Sequence, residues 1–364
     1  MGDVRSPSPG VLPMTLIGYL TRTHFAEAAI EDALPEETGA FSNALLLTDD
    51  EPGVEAALNR VREVLGGIAL TVRNVTAGAP SRGETRTALS HLKEIGTGTL
   101  VAVGGAKAIG QARLVAAEAS RQGGRLTVIA VPVGVFDLGL GRHVRPRDGR
   151  PAICPRPDRV IVDPTVLEHA PIRRIAASAM EIMVHAIEAY ASPSYNPPAD
   201  GLALEAVRRM TRWLPVVLGA PGNREALREV MAAAMTAGLA LEKAVGGVDA
   251  LALPIEAELR AGFLPGDLHA PLLAAVADFN AQAVGDRYAA LARTLASREG
   301  KASLSIEIGA FARGLGLPTS LREIGIDRGR FDRFAEMAAN DPAALANPRR
   351  LTAGDCRDIL EAAW

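Results

Sequence analysis

The chain has 364 residues, of which 48% are hydrophobic, 22% charged and 4% aromatic, and its formal net charge is −3. This balance is typical of one large or two ordinary well-packed domains, and it excludes collagen, coiled coil and extended disorder. The 39 basic residues do not outnumber the 42 acidic ones, so we expect no nucleic-acid partner. Cys154 and Cys356 lack metal-ligand spacing, which indicates a reducing compartment.

The sequence also argues against a membrane partner. No apolar run approaches the roughly 18 uncharged residues that a membrane-spanning helix needs. The first ten residues, MGDVRSPSPG, lack the apolar core of a secretory signal. We therefore expect a cytoplasmic protein.

The first 165 residues alternate short apolar runs with stretches of helical periodicity. Runs rich in Val, Ile and Leu predict strands at residues 44–48, 69–75, 99–103, 126–133 and 159–162. Apolar residues spaced three and four apart predict helices over 55–65 and 84–95. This order is typical of a buried parallel sheet with crossover helices, so residues 1–165 are predicted to form an α/β domain.

From about Pro171 onward the strand patterns stop and long helical segments follow. Helices are predicted over 174–191, 201–218, 224–245, 267–283, 286–296, 304–315 and 328–338. The Pro, Arg and Gly-rich residues 139–158 are interpreted as a long loop near the domain junction. The fold class is therefore α/β plus all-α, with a helical domain over 166–364. Ligands bind beyond the carboxyl ends of parallel strands, so we expect the site between the two halves.

The segment VAVGGAKAIGQARLVAA, residues 101–117, runs from an apolar strand through Gly104 and Gly105 into a helix. Free backbone N–H groups and the helix dipole stabilise a phosphate at such a helix N-terminus. Gly105 would let the backbone approach a pyrophosphate, and Lys107 could reach its oxygens. A tight turn that needs positive φ and binds nothing explains the glycines equally well.

Asp49 follows the strand at 44–48 in the run LLLTDDEPG. A carboxylate in this position can accept hydrogen bonds from the ribose of a dinucleotide, and it favours NAD because it repels a 2′-phosphate. Acids before a helix are equally ordinary as N-caps, so both roles remain open.

Glu181, His185 and Glu188 lie at i, i+4 and i+7 in the segment AMEIMVHAIEAYASPSYNP. They share one face of the helix predicted over 174–191, where Glu181 and His185 could bind one metal ion or frame one carbonyl group. The alternative is a helix whose acids are solvated and whose histidine packs against the sheet.

Together, the order and spacing of these motifs resemble the iron-containing alcohol dehydrogenase superfamily over about residues 40–364. The resemblance is carried by TD after the strand at 44–48, the Gly-Gly turn followed by Ile109 and Gly110, VIVDP near residue 163, and HAIEAY. Ile109 and Gly110 favour the maleylacetate reductase branch. The resemblance implies a dehydroquinate synthase-like architecture, in which a Rossmann-like NAD(P)-binding domain meets a helical domain that carries a metal and substrate site.

The sequence departs from the metal site that the resemblance implies. The family's four ligand positions, one Asp and three His, fall on Glu181, His185, Asp249 and Pro265. Proline has no donor in its side chain, and Leu253 replaces a histidine that the family places near the nicotinamide. The nearest further histidine is His269. A divalent metal ion, Fe or Zn, is therefore expected only if Glu181, His185 and Asp249 converge.

The phosphate loop that the resemblance implies is altered as well. The family's PTTAGTGSE segment reads PVGVFDLGLG here, which keeps the first proline and the glycines but loses the hydroxyl side chains. Cofactor-binding residues are accordingly predicted to be Asp49, Gly104, Gly105, Lys107 and Pro132.

Three functions remain open. The first is an NAD(P)-dependent oxidoreductase that moves a hydride between the nicotinamide and a carbonyl or alcohol carbon, with His185 as proton donor and Glu181 orienting it. Arg142 or Arg145 would bind the carboxylate of a keto acid, and the enzyme is expected to be a homodimer. The second is a catalytically inactive homologue that acts as a binding or scaffold protein, and the third is a repurposed lyase or synthase.

Overall fold

A six-stranded parallel sheet forms the centre of the N-terminal half. We describe it in a computed structural model that covers residue 19 and residues 21–39, 41–75, 80–146, 151–243, 245–256, 258–296 and 302–364. The strands of the chain are β1 (Arg22–Phe25), β2 (Asn43–Thr48), β3 (Ala69–Asn74), β4 (Thr99–Gly104), β5 (Thr127–Pro132), β6 (His143–Val144), β7 (Ala152–Ile153) and β8 (Arg159–Val162). The sheet order is β1-β8-β5-β4-β2-β3, and each neighbouring pair is parallel.

The central strands are those with continuous apolar runs. Every residue of β4 is buried, and β2 and β5 are buried apart from their first residues, as expected when helices cover both faces of a parallel sheet. The five predicted strands are confirmed to within two residues at each end. The edge strand β1 was not predicted, because its sequence RTHF is polar and only partly buried.

The helices that accompany the sheet in the described part of the chain are α1 (Ala29–Asp32), α2 (Leu34–Thr38), α3 (Val54–Val64), α4 (Arg82–Glu94) and α5 (Ala106–Arg121). The predicted helices over 55–65 and 84–95 correspond to α3 and α4. The segment 139–158, predicted as a loop, contains the short antiparallel pair of β6 and β7, while its residues 147–150 lie outside the described part of the chain.

The C-terminal half is helical, as predicted. Its helices are α6 (Ile172–Ala191), α7 (Pro197–Gly219), α8 (Arg224–Ala240), α9 (Gly247–Glu256), α10 (Pro265–Val284), α11 (Asp286–Leu295), α12 (Leu304–Gly314), α13 (Leu321–Ile324), α14 (Phe331–Ala339) and α15 (Ala353–Ala362). The short α13 and the helices α9 and α15 were not predicted. In α9, paired glycines at the start and Pro254 inside the helix obscure the helical pattern.

The carboxylate of Glu37 connects the edge strand β1 with its neighbour β8. Glu37 of α2 accepts from Arg22 and His24 of β1, at 2.8 Å each, and from Arg159 of β8. Burial opposes ionisation of Glu37, but these hydrogen bonds, together with the charge of Arg159, lower its pKa to about 2.

The core does not separate the two halves. Buried apolar side chains of the sheet and of the helices form one continuous cluster, so the boundary between residues 165 and 166 stays a prediction. Among the described residues, no helix is long and apolar enough to cross a membrane.

Candidate active site

The Gly-Gly turn lies at the carboxyl edge of the sheet, where β4 ends. Gly104 is paired in register with Pro132 at the end of β5 and has a φ of +155°. A Cβ at Gly104 would lie 2.5 Å from Asp49 Oδ1, so only glycine fits this close approach. The predicted cofactor residues Asp49, Gly104, Gly105 and Pro132 are thus brought to one edge of the sheet.

Asp49 caps the helix that follows this turn. Its buried carboxylate accepts from the backbone N–H of Gly105 at 3.0 Å and of Ala108 at 2.9 Å. These donors belong to the N-terminus of α5, where the sequence predicted a phosphate. Asp49 therefore occupies part of that anion-binding position with its own charge. It acts as an N-cap of α5, although it lies far from this helix in the sequence.

The other predicted phosphate contact also has a partner inside the protein. Lys107 Nζ lies 2.6 Å from Asp50 Oδ1. The pair is partly exposed, so it costs little to exchange the carboxylate for another anion.

The next acid in the run, Glu51, was not predicted as a site residue. It forms a bidentate ion pair with Arg174 on the first turn of α6, at 2.6 and 2.5 Å. This pair joins the glycine turn to the helix that carries Glu181 and His185. The partners are 123 residues apart in sequence, and no local pattern could have revealed the contact.

The helix α6 is fixed by close packing against α10. At Gly266, a side chain would clash with the backbone of Ala177, so the two helices approach at backbone contact. Along the same face of α6 lie Glu181 and His185, as predicted from their spacing. The side chain of His185 is 13% exposed, and its buried Nδ1 has no hydrogen-bond partner among the described residues.

Asp249 of the unpredicted helix α9 faces His185. Its Oδ1 lies 3.8 Å from His185 Nε2, an ion-pair distance rather than a hydrogen bond. Its Oδ2 lies 3.3 Å from Arg145 Nη2, and Arg145 also binds Asp341 at 2.6 Å. Arg145, predicted as a carboxylate-binding residue, is therefore occupied by two carboxylates of the protein itself.

The third residue of the helical motif, Glu188, has a structural role. The buried carboxylate of Glu188 accepts from the N–H of Gly246 at 2.8 Å and of Val248 at 2.7 Å. These donors lie at the start of α9. Glu188 thus positions the helix that brings Asp249 to His185, and it is not the solvated acid that the sequence allowed.

Charges around His185 decide its protonation. Burial alone would lower the pKa of His185, but the carboxylates of Asp249 and Glu181 raise it to about 9. Burial and the same two acids raise the pKa of Glu256 to about 8. Burial lowers the pKa of His269. His185 is therefore the histidine of this site that carries a positive charge near neutral pH.

The donor set does not fit the metal ion of the family. Across the described ranges of the chain, no three His, Cys, Asp or Glu side chains are grouped so that they could hold a metal ion. The predicted set of Glu181, His185 and Asp249 is not such a group, and Asp249 pairs with the guanidinium of Arg145. Pro265, which begins α10, provides no donor side chain.

The fold and the site motifs define a class of protein, and comparison with known sequences identifies the family. The model described as iron-containing alcohol dehydrogenase matches residues 21–136, and the model of the C-terminal part of the Fe-containing alcohol dehydrogenase family matches residues 175–364. The chain belongs to the iron-containing alcohol dehydrogenase family and is an oxidoreductase. The resemblance found in the sequence is thereby confirmed.

Relatives extend over nearly the whole chain. It is 30% identical to a 4-hydroxybutyrate dehydrogenase of Cupriavidus necator, across 96% of this chain and 99% of that protein. It is 27% identical to maleylacetate reductase 1 of Rhodococcus opacus, across 90% of each. The structure of sulfoacetaldehyde reductase from Bifidobacterium kashiwanohense in complex with NAD+ has the same fold, with a TM-score of 0.82 at 20% identity, over 96% of this chain and 98% of that chain.

Proposed function

We propose that the chain is an NAD-dependent enzyme that interconverts a small carbonyl compound and its alcohol, with His185 as the proton donor and acceptor. The observation that carries this proposal is the position of His185, 3.8 Å from the Asp249 carboxylate and on the helix face of Glu181. A cationic imidazole in this place supplies both a proton and a positive charge.

The reaction needs a group that neutralises negative charge on the substrate oxygen. When bound, the nicotinamide supplies the hydride that reduces the carbonyl carbon. His185 donates a proton to the oxygen as it becomes an alkoxide, and the neutral imidazole then regains a proton from water. In the alcohol direction His185 accepts the hydroxyl proton. Asp249 and Glu181 hold the imidazolium in its charged form before the transfer.

The cofactor assignment is supported by the carboxyl edge of the sheet. Gly104 and Gly105 lead into the N-terminus of α5, where the Asp49 carboxylate already fills part of the anion-binding position, and Lys107 can exchange Asp50 for phosphate oxygens. The acids that follow β2 disfavour a 2′-phosphate and so favour NAD. The free, buried thiols of Cys154 and Cys356 support a cytoplasmic location, and the homodimer remains an expectation from the family resemblance.

The substrate is proposed to carry a carboxylate. The names of the two relatives, 4-hydroxybutyrate dehydrogenase and maleylacetate reductase, both describe carboxylates. Arg145 is held by Asp249 and Asp341, whereas Arg142 is 39% exposed and lies 3.8 Å from Glu242. Arg142 is therefore the better of the two predicted partners for a substrate carboxylate.

The experiment compares wild type with His185→Gln and, as a control, with His169→Gln, which changes an exposed histidine. Turnover of NAD+ is followed with 4-hydroxybutyrate and with 1-butanol, which has the same carbon chain without the carboxylate. We expect a preference for the hydroxy acid and a loss of about 10²–10⁴-fold in turnover for His185→Gln only. NADH affinity should stay unchanged in both variants.

Two results would contradict the proposal. Turnover of His185→Gln at the wild-type rate removes this residue from the mechanism. Stoichiometric iron or zinc in purified wild type that is absent from His185→Gln makes His185 a metal ligand instead. Elemental analysis after growth with both metals measures this independently of activity.

A further inference from the structure

The ion pair of Glu51 and Arg174 covers two glycine turns at once. A Cβ at Gly105, which precedes α5, would lie 3.1 Å from Glu51 Oε2, and a Cβ at Gly134, which follows β5, would lie 3.3 Å from Glu51 Oε1. Both carboxylate oxygens therefore rest directly on backbone that has no side chain. Gly134 also has a φ of +120°, a conformation that favours glycine.

These two glycines lie where a dinucleotide diphosphate must pass. They follow β4 and β5, which are neighbours in the sheet and end in register at Gly104 and Pro132. Phosphates approach backbone most closely at glycines beyond the carboxyl ends of parallel strands. A negatively charged group, the carboxylate of Glu51, already occupies this place in the structure.

The guanidinium of Arg174 is suited to replace one anion by another. It presents two parallel N–H groups to Glu51, at 2.6 and 2.5 Å, and the same planar fork matches two phosphate oxygens. Its side chain is 32% exposed and that of Glu51 is 16% exposed. Arg174 can therefore be reached from solvent, and Glu51 can leave by side-chain rotation.

We infer that Arg174 is a diphosphate-binding residue. In the protein without cofactor, the carboxylate of Glu51 occupies the diphosphate position between the two glycine turns. The inference rests on the proposed dinucleotide cofactor. Binding exchanges partners: the diphosphate takes the guanidinium, and Glu51 moves away because two anions at this distance repel each other. Glu51 therefore lowers the affinity for every ligand that carries the diphosphate.

The test measures ligand affinity by calorimetry for wild type, Glu51→Gln and Arg174→Gln. Glutamine keeps the shape of Glu51 and removes its charge. The matched control is Glu31→Gln, since Glu31 forms a bidentate pair with Arg60 of similar geometry, at 2.6 and 2.7 Å, away from the glycine turns. The ligands are NADH, ADP-ribose, which carries the diphosphate without nicotinamide, and adenosine, which has no phosphate.

We expect Glu51→Gln to bind NADH and ADP-ribose about tenfold more tightly than wild type, the effect of removing one like charge near the ligand. Arg174→Gln should bind both about tenfold more weakly. Adenosine affinity should be equal in all proteins, and Glu31→Gln should match wild type throughout. A gain of affinity cannot arise from misfolding, so the Glu51 variant decides the question even if Arg174→Gln folds poorly.

The inference is overturned if wild type binds NADH and Glu51→Gln binds it no more tightly. It is also overturned if adenosine gains as much as ADP-ribose, because the effect would then be general and not specific to the diphosphate. Failure of every protein to bind NADH, NAD+ or ADP-ribose refutes the proposed cofactor itself, which is a different result from unchanged affinity.

Discussion

Asp49 and Asp50 are adjacent acids to which the structure gives different roles, and substituting each by alanine separates these roles. Asp49 is 4% exposed and accepts from Gly105 and Ala108, so Asp49→Ala leaves two buried N–H groups without an acceptor. Each such group costs about 1–3 kcal/mol, and the lost interaction with the helix dipole adds about 0.5 kcal/mol. We expect a total loss of about 2.5–6.5 kcal/mol in unfolding free energy.

Asp50→Ala is the matched control, because it removes a side chain that is 59% exposed and forms a surface ion pair with Lys107. It should change the unfolding free energy by less than about 0.5 kcal/mol. Urea denaturation measures both variants at equal ionic strength. Equal stability of the two would refute the capping role of Asp49. Unchanged stability together with a large loss of NADH affinity in Asp49→Ala would assign it to the ribose instead.

Two further predictions concern carboxylates with several partners. Glu188→Ala should lower the unfolding free energy by about 2–6 kcal/mol, because two buried N–H groups at the start of α9 lose their acceptor. Urea denaturation would disprove this if the loss stayed below about 1 kcal/mol. Glu37 has a folded pKa of about 2, below its unfolded value, so its stabilisation is complete above about pH 5 and is lost as the pH falls toward 2. Wild type should exceed Glu37→Gln by about 3 kcal/mol at pH 6 and approach it near pH 2, and a constant difference across this range would contradict the assignment.

The sheet was predictable because its central strands are apolar on both faces. The run TLVAVG of β4 admits no exposed side, so length and composition alone favour a buried strand. The edge strand β1 lacks this property. Its pairing with β8 depends on a register from Arg22 with Arg159 to Phe25 with Val162, a contact over more than 130 residues that no local pattern encodes.

The site was predictable only where it depends on one helix. The spacing of Glu181 and His185 places both on one face of α6, and the structure agrees. Asp249 was reached only through the family resemblance, since α9 was missed. The contacts that determine local charge, Asp249 with Arg145 and Glu51 with Arg174, each join distant segments, so periodicity carries no information about them.

Cations of the same chain compensate the acids around His185. Glu181 and Asp249 lie at positions that the resemblance assigns to metal ligands, and each carries a negative charge. Asp249 stands where the family has a neutral histidine, so the site has one more negative charge than the family's ligand set. Arg145 lies 3.3 Å from Asp249, and the pKa of His185 is raised to about 9. The two cations Arg145 and His185 thus face Glu181, Asp249 and also Asp341, which pairs with Arg145, while the raised pKa of Glu256 limits a further negative charge. Since buried charges are tolerated only when compensated, substitution of a ligand histidine by Asp249 requires a cation beside it, and Arg145 is that cation. Asp249, whose charge Arg145 compensates, also helps to keep His185 protonated. The replacement of the family's histidine ligand by Asp249 is therefore linked to the acid–base role proposed for His185.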